Sequence, residues 1–128
     1  MIMDIKPELK YTKDHEWIEI DGKIATVGIT DYAQGELGDI VYVEIETLDE
    51  NLEKEEVFGS VEAVKTVSDL FLPVSGKIVE VNQKIENSPE IINEDPYNDG
   101  WIIKMEIENE EELNELLDAD AYSKLIGL

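Results

Sequence analysis

GSVEAVKTVSDLF (59–71) alternates apolar and polar residues up to Val64, sets one lysine among small and β-branched neighbours, and then resumes as a second strand. It predicts a β-hairpin with Lys65 at its tip. An exposed lysine in a turn ordinarily needs no function. Three features set this one apart. Both arms are well supported, by GSVEAV on one side and TVSDLFLPVSG on the other. The tip lacks glycine and Asn-Gly, the usual turn formers. No other lysine stands between Lys54 and Lys77. A lysine amine is a tethering point for acyl groups, since an amide removes its charge and lengthens the side chain. With an eight-carbon acid it would reach roughly 14 Å from its Cα. A rigid hairpin would let a modifying enzyme find that lysine by geometry.

The same rhythm runs outward from the hairpin. EWIEI (16–20) and KIATVGI (23–29) flank Asp21-Gly22, a strong hairpin signal. DIVYVEI (39–45) places Val41, Val43 and Ile45 on one face, and GKIVEVN (76–82) and GWIIKMEI (100–107) read as further strands. Short strands with frequent turn residues predict a small β barrel or sandwich. TDYAQGELG (30–38) reads as a short helix closed by Gly38. Asn109 and Glu112 have the spacing of a capping box, so 110–118 and 119–126 are expected as helices, bent near 118–120, with Leu113, Leu116, Leu117 and Ala121 forming the apolar stripe. IVYVEIETLDENL (40–52) and KIVEVNQKIENSP (77–89) echo one another faintly, as would two related halves about the hairpin.

The totals narrow the function. A chain of 128 residues, 42% hydrophobic, is one domain with its own core. Its 32 acids and 10 lysines, with no arginine, leave a formal charge of −22, which repels phosphate backbones and anionic lipid. Nucleic-acid and membrane-surface functions are therefore not expected. With no cysteine and one histidine, His15, disulfides, thiolate chemistry, Ser-His-Asp triads and multi-histidine metal sites have little to build on. EDPYNDG (94–100) lacks EF-hand spacing and reads as a turn. The start, MIMDIKPELKYTKDHEW, has neither the apolar stretch of a secretory signal nor an Arg-rich transit pattern. A cytoplasmic place fits, although a transit peptide removed earlier would leave no trace.

YTKDHEW (11–17), ATVGITDYAQGELGDIVYVE (25–44), GSVEAVKTVSD (59–69), PVSGKIVEVN (73–82) and SPEIINEDPYNDGW (88–101) together resemble, in order and over about 11–126, the glycine cleavage system H proteins. The resemblance implies a mainly β barrel-sandwich hybrid of the lipoyl and biotinyl carrier type, spanning 1–128 with a core at about 11–107 and a helical segment at about 110–126. It implies covalent lipoate on Lys65, placed by a lipoylating enzyme. It implies a monomeric, non-catalytic shuttle. An aminomethyl group would come from a pyridoxal-phosphate glycine decarboxylase and pass to a folate-dependent aminomethyltransferase, and a dihydrolipoamide dehydrogenase would reoxidise the arm. A cleft sheltering the loaded arm is also implied, with Glu16, Ser68 and Asp69 as its candidate lining. Two alternatives stay open: a biotinyl carrier of a carboxylase, and a protein that relays lipoate to other acceptors. The tip departs from the commoner Glu-Ser-Val-Lys-Ala wording, with Ala63 for the serine and Thr66 for the alanine. It thereby approaches the Glu-Ala-Met-Lys-Met of biotinyl domains, but Val64 and Thr66 stand where those have methionines. His15 reads as a structural residue at the start of a strand.

Overall fold

Most of the chain alternates between buried and exposed side chains, and such segments can bury their apolar face only by pairing and stacking as sheets. The computed structural model describes residues 4–128 and resolves the pattern into two sheets. In chain order the elements are β1 (Lys10–Tyr11), β2 (Glu16–Asp21), β3 (Ile24–Ile29), α1 (Asp31–Leu37), β4 (Ile40–Glu44), β5 (Asn51–Leu52), β6 (Val57–Ala63), β7 (Val67–Phe71), β8 (Gly76–Val81), α2 (Gln83–Asn87), α3 (Ile91–Glu94), β9 (Ile103–Ile107), a 3₁₀ helix (Glu110–Glu115) and α4 (Ala119–Leu125). One sheet has six strands in the order β1-β2-β3-β9-β8-β5, and the other has three in the order β4-β6-β7. Ile18, Val27 and Met105 from the first meet Val43, Phe58, Val61 and Leu70 from the second in one core, which Ile85 of α2 and Ile92 of α3 complete. The strand rhythm allows a barrel or a sandwich; the two sheets do not close into a barrel, and the architecture is the sandwich type that the family resemblance implies.

The β2–β3 hairpin forms where expected, but Asp21 pairs with Ile24, so the two loop residues are Gly22 and Lys23. Gly22 has φ 64° and Lys23 does not share that sign, which is the pattern of a type II′ turn. Helix α1 is capped as its sequence demands: Thr30 Oγ1 accepts the Ala33 N–H at 3.1 Å, and Gly38, at φ 81°, closes it. The strand β9 begins at Ile103 rather than at 100, since the backbone from Pro96 to Gly100 is a run of turns.

Three expectations are corrected. Val41 does not share a face with Val43 and Ile45. The β4–β6 register shifts between Ile40 and Tyr42, and this bulge turns both Val41 and Tyr42 outward while Ile40 and Val43 face the core. The segment after Asn109 is a 3₁₀ helix to Glu115, not an α-helix to 118. Leu117 is drawn into backbone pairing with Tyr11, each N–H reaching the other's carbonyl at 2.8 Å, so the chain is extended there. The capping box is likewise unmade, because Asn109 caps Glu111 while the Glu112 carboxylate accepts the N–H and the hydroxyl of Ser75.

A second, smaller cluster joins the chain ends. Leu9, Tyr11, Trp17 and Tyr122 are buried together, with Leu117 against them. Trp17 lies across Gly28, its cross-strand partner, and donates its indole N–H to Pro96 O at 2.9 Å. A Cβ at Gly28 would stand 2.6 Å from three atoms of that indole. Gly28→Ala is therefore expected to destabilise the fold by about 1–3 kcal/mol, the usual range for overpacking. Urea unfolding checks this, with a lower midpoint and an unchanged slope as the expected result.

Candidate functional site

The hairpin tip is short and well held. Ala63 N–H bonds Thr66 O at 2.8 Å, and Val64 N–H bonds Asp39 O at 3.2 Å, which ties the tip to the connection ahead of β4. No tip residue has positive φ, so the turn has no need of the glycine it lacks. Lys65 is exposed and forms no ion pair with the described residues. Val64 and Val67 beside it are 72% and 62% exposed, leaving the amine approachable over the tip.

Glu16, Ser68 and Asp69 line one cleft of about 260 Å³. Ser68 and Asp69 lie on β7, opposite Val61 and Ser60 of β6. The far wall is α1, through Tyr32, Ala33, Glu36 and Leu37, and Asp14 and His15 flank Glu16. Ser68 is three residues from Lys65, roughly 10 Å along an extended strand, which is within the roughly 14 Å reach of an eight-carbon acyl-lysine folded back along β7. Ile29, Val61 and Leu70 add apolar surface suited to methylenes, and Glu16, Asp69 and Glu36 add carboxylates suited to a cation. The α1 wall was absent from the sequence-based candidates. Its helix was legible, but nothing local tells which strand a helix will face.

Glu16 is the unusual member. It is 1% exposed, and its neighbours along the chain explain how it is held. His15 adopts φ 69°, a left-handed conformation that closes the loop between β1 and β2. Thr12 organises that loop, its hydroxyl oxygen accepting the N–H groups of Asp14 and Glu16, both at 3.2 Å. The same hydroxyl lies 3.2 Å from Glu16 Oε1, and Phe71 N–H donates to Oε2 at 2.8 Å. Phe71 ends β7, an edge strand, so this carboxyl group joins the six-stranded sheet to the three-stranded one. Burial pushes its pKa up to about 8. The Phe71 N–H acts in the other direction, the nearby Asp14 charge adds to the rise, and Thr12 also lowers it. Desolvation wins because no described lysine forms an ion pair with it. On its other side Glu16 lines a second hollow of about 290 Å³, floored by Leu72, Pro73, Leu116 and Leu117.

Among the described residues no cluster of three or more potential ligands is grouped to hold a metal ion, and no helix is long and apolar enough to cross a membrane. Two stacked sheets, with an exposed lysine presented on a firm hairpin, define a domain of the barrel-sandwich class. The comparisons are specific within that class. The family model for the glycine cleavage H-protein matches residues 9–127. A glycine cleavage system H protein of Staphylococcus epidermidis is 56% identical over 125 residues, covering 98% of this chain and 99% of that protein. One from Staphylococcus haemolyticus is 53% identical over the same coverage. A crystal structure of a glycine cleavage system H protein from Mycobacterium marinum superposes with a TM-score of 0.85 at 39% identity, covering 97% of this chain and all of that one. The chain belongs to the glycine cleavage H-protein family.

The raised Glu16 pKa makes stability depend on pH. Between the ordinary value of 4.5 and about 8 the unfolded chain has an ionised Glu16 while the folded chain keeps its proton. Its contribution is fully present below 4.5 and is lost as pH rises to about 8, with a slope of at most about 1.4 kcal/mol per pH unit. Glu16→Gln removes this titration but leaves the other carboxylates. Urea unfolding of both proteins across that window is expected to show the wild type losing stability relative to the variant as pH rises.

Proposed function

We propose that Lys65 carries lipoate in amide linkage and that the chain works as the mobile-arm carrier of the glycine cleavage system, itself catalysing nothing. The observation that carries this reading is an exposed lysine on a firm tip, without an ion pair among the described residues, together with a cleft an arm's length away, in a chain of this family. Bound lipoate would supply a disulfide able to accept an aminomethyl group and give it up again. A lipoylating enzyme would attach it at the tip. A pyridoxal-phosphate glycine decarboxylase would load it, a folate-dependent aminomethyltransferase would unload it, and a dihydrolipoamide dehydrogenase would restore the disulfide.

The residues of this chain do three things in that scheme. The hairpin presents the lysine amine clear of neighbouring carboxylates, without using a flexible turn. The apolar walls of the cleft take up the arm. Glu16 meets the primary amine at its end. An alkylammonium entering the cleft would offset the burial that holds Glu16 protonated, so docking would drive the proton off the carboxyl group and form a charge-assisted hydrogen bond worth roughly 1.5–3 kcal/mol. Asp69 and Ser68 would assist from the root of the hairpin. Shelter matters because a free thioaminal in water loses formaldehyde and ammonia.

Two experiments test this. Lys65→Arg keeps the charge but cannot form the amide. It is expected to fold normally, to show no lipoyl adduct by mass spectrometry when expressed in its native cell, and to abolish glycine–bicarbonate exchange in a reconstituted system. Retention of exchange would overturn the carrier reading. Glu16→Gln keeps the shape and removes the charge. Lipoylation should be unaffected, while formaldehyde release from loaded protein, with the transferase absent, should rise about ten-fold or more, since about 1.4 kcal/mol is a factor of ten. An unchanged rate would remove Glu16 from the docking scheme.

A further inference from the structure

Two sides of the cleft, besides the one that β7 supplies, come from separate parts of the chain. One is Asp14 and His15 of the loop ahead of β2 with Glu16 at the start of that strand, and the other is α1 with its cap Thr30. The β2–β3 ladder brings their backbones together where Glu16 pairs with Ile29, and their side chains His15 and Thr30 meet at one further atom that lines neither. The hydroxyl of Tyr122, on α4, lies 2.9 Å from His15 Nδ1 and 2.7 Å from Thr30 Oγ1. Tyr122 is fully buried and stacks on Tyr11 with ring centroids 4.7 Å apart and planes 9° from parallel. The backbone adds one more link, Thr30 N–H to His15 O at 3.0 Å.

One arrangement of protons satisfies the group. Thr30 Oγ1 accepts the Ala33 N–H and donates to Tyr122, and the Tyr122 hydroxyl donates to His15 Nδ1 of a neutral ring. Burial favours these neutral forms, lowering the pKa of His15 and raising that of Tyr122 to about 12. His15 has reason to need such a partner. Its left-handed backbone is disfavoured for a side chain with a Cβ, and that conformation aims the next residue, Glu16, inward. The His15 ring also packs against Tyr32 of the opposite wall, centroids 4.9 Å apart.

We propose that Tyr122 is a positioning residue for the arm cleft, its one hydroxyl holding the Glu16 wall and the α1 wall in register from the C-terminal helix. The inference rests on the reading of this cleft as the arm's docking place. It extends the site to a residue about a hundred positions from Glu16 in sequence.

Tyr122→Phe removes the hydroxyl and keeps the stacked ring. Tyr11→Phe is the matched control, because it removes a neighbouring phenol hydroxyl bound to Lys6 O at 2.7 Å, away from either wall. Hydrogen exchange of the full-length unmodified proteins needs no arm. Tyr122→Phe is expected to speed amide exchange in both 12–16 and 31–37 by about three- to ten-fold, as loss of neutral hydrogen bonds would, and Tyr11→Phe in neither. Unchanged exchange in either segment, or an equal effect from Tyr11→Phe, would overturn the proposal. In lipoylated, loaded protein Tyr122→Phe should also speed formaldehyde release by a similar factor while leaving the rate of lipoylation alone. If Glu16→Gln speeds release and Tyr122→Phe does not, the positioning role fails and the docking reading stands. If Glu16→Gln leaves release unchanged, the docking reading itself fails and this role with it.

Discussion

A carboxyl group buried between two sheets is the constraint around which the rest of this molecule is arranged. Glu16 is withdrawn from water without a lysine beside it, and such burial is unfavourable unless donors compensate. The Phe71 N–H at the end of an edge strand supplies one donor, and Thr12 supplies the other. Both depend on architecture. The Phe71 N–H is available because no strand pairs with β7 beyond it. Thr12 is placed by the loop that His15 closes in a left-handed conformation. The neighbouring Trp17, seated over Gly28 and bonded to Pro96 O, keeps the strand from turning its other face inward. A one-residue slip would exchange a buried Glu16 for a buried Glu19 and expose Ile18.

Rigidity and mobility are divided in a way that suits a carrier. The tip is fixed by backbone bonds on two sides and contains no glycine, so motion would belong to the arm and not to its base. The exposed apolar surface is partly gathered at the same end, where Val64 and Val67 flank the lysine and the bulge in β4 turns Val41 and Tyr42 outward. Around it lies a strongly acidic surface. Such a field favours partners with basic faces and shortens the search for them at low salt. Inside the cleft the same excess of acid leaves carboxylates without lysines, which is the condition under which an incoming cation gains most.

Local pattern carried much of this fold. Alternation marked the long strands, Thr30 and Gly38 bounded α1, and Asp21-Gly22 placed the first hairpin to within a residue. It failed where a distant partner competed. Leu117 left the helical stripe to pair with Tyr11, and Glu112 turned from its own cap to Ser75. Val41 left its expected face because β4 and β6 differ by one residue in register. The short helices α2 and α3 were missed because each is about a turn long, too short for a period to show.

The sequence by itself determined that this is a small β barrel or sandwich with a lone lysine at a supported hairpin tip, because strand periodicity and turn chemistry act between neighbours a few residues apart. It also singled out Glu16, Ser68 and Asp69 through family resemblance. Only the tertiary structure decided that these three share a cleft, that α1 is its opposite wall and that Tyr122 ties the walls together. The β2–β3 hairpin already brings residues 15 and 30 side by side, but no local signal encodes their distance from residue 122. The contacts to residue 122 arise only when the sheets stack and the C-terminal helix folds back onto β1, burying polar groups that must then find one another as partners.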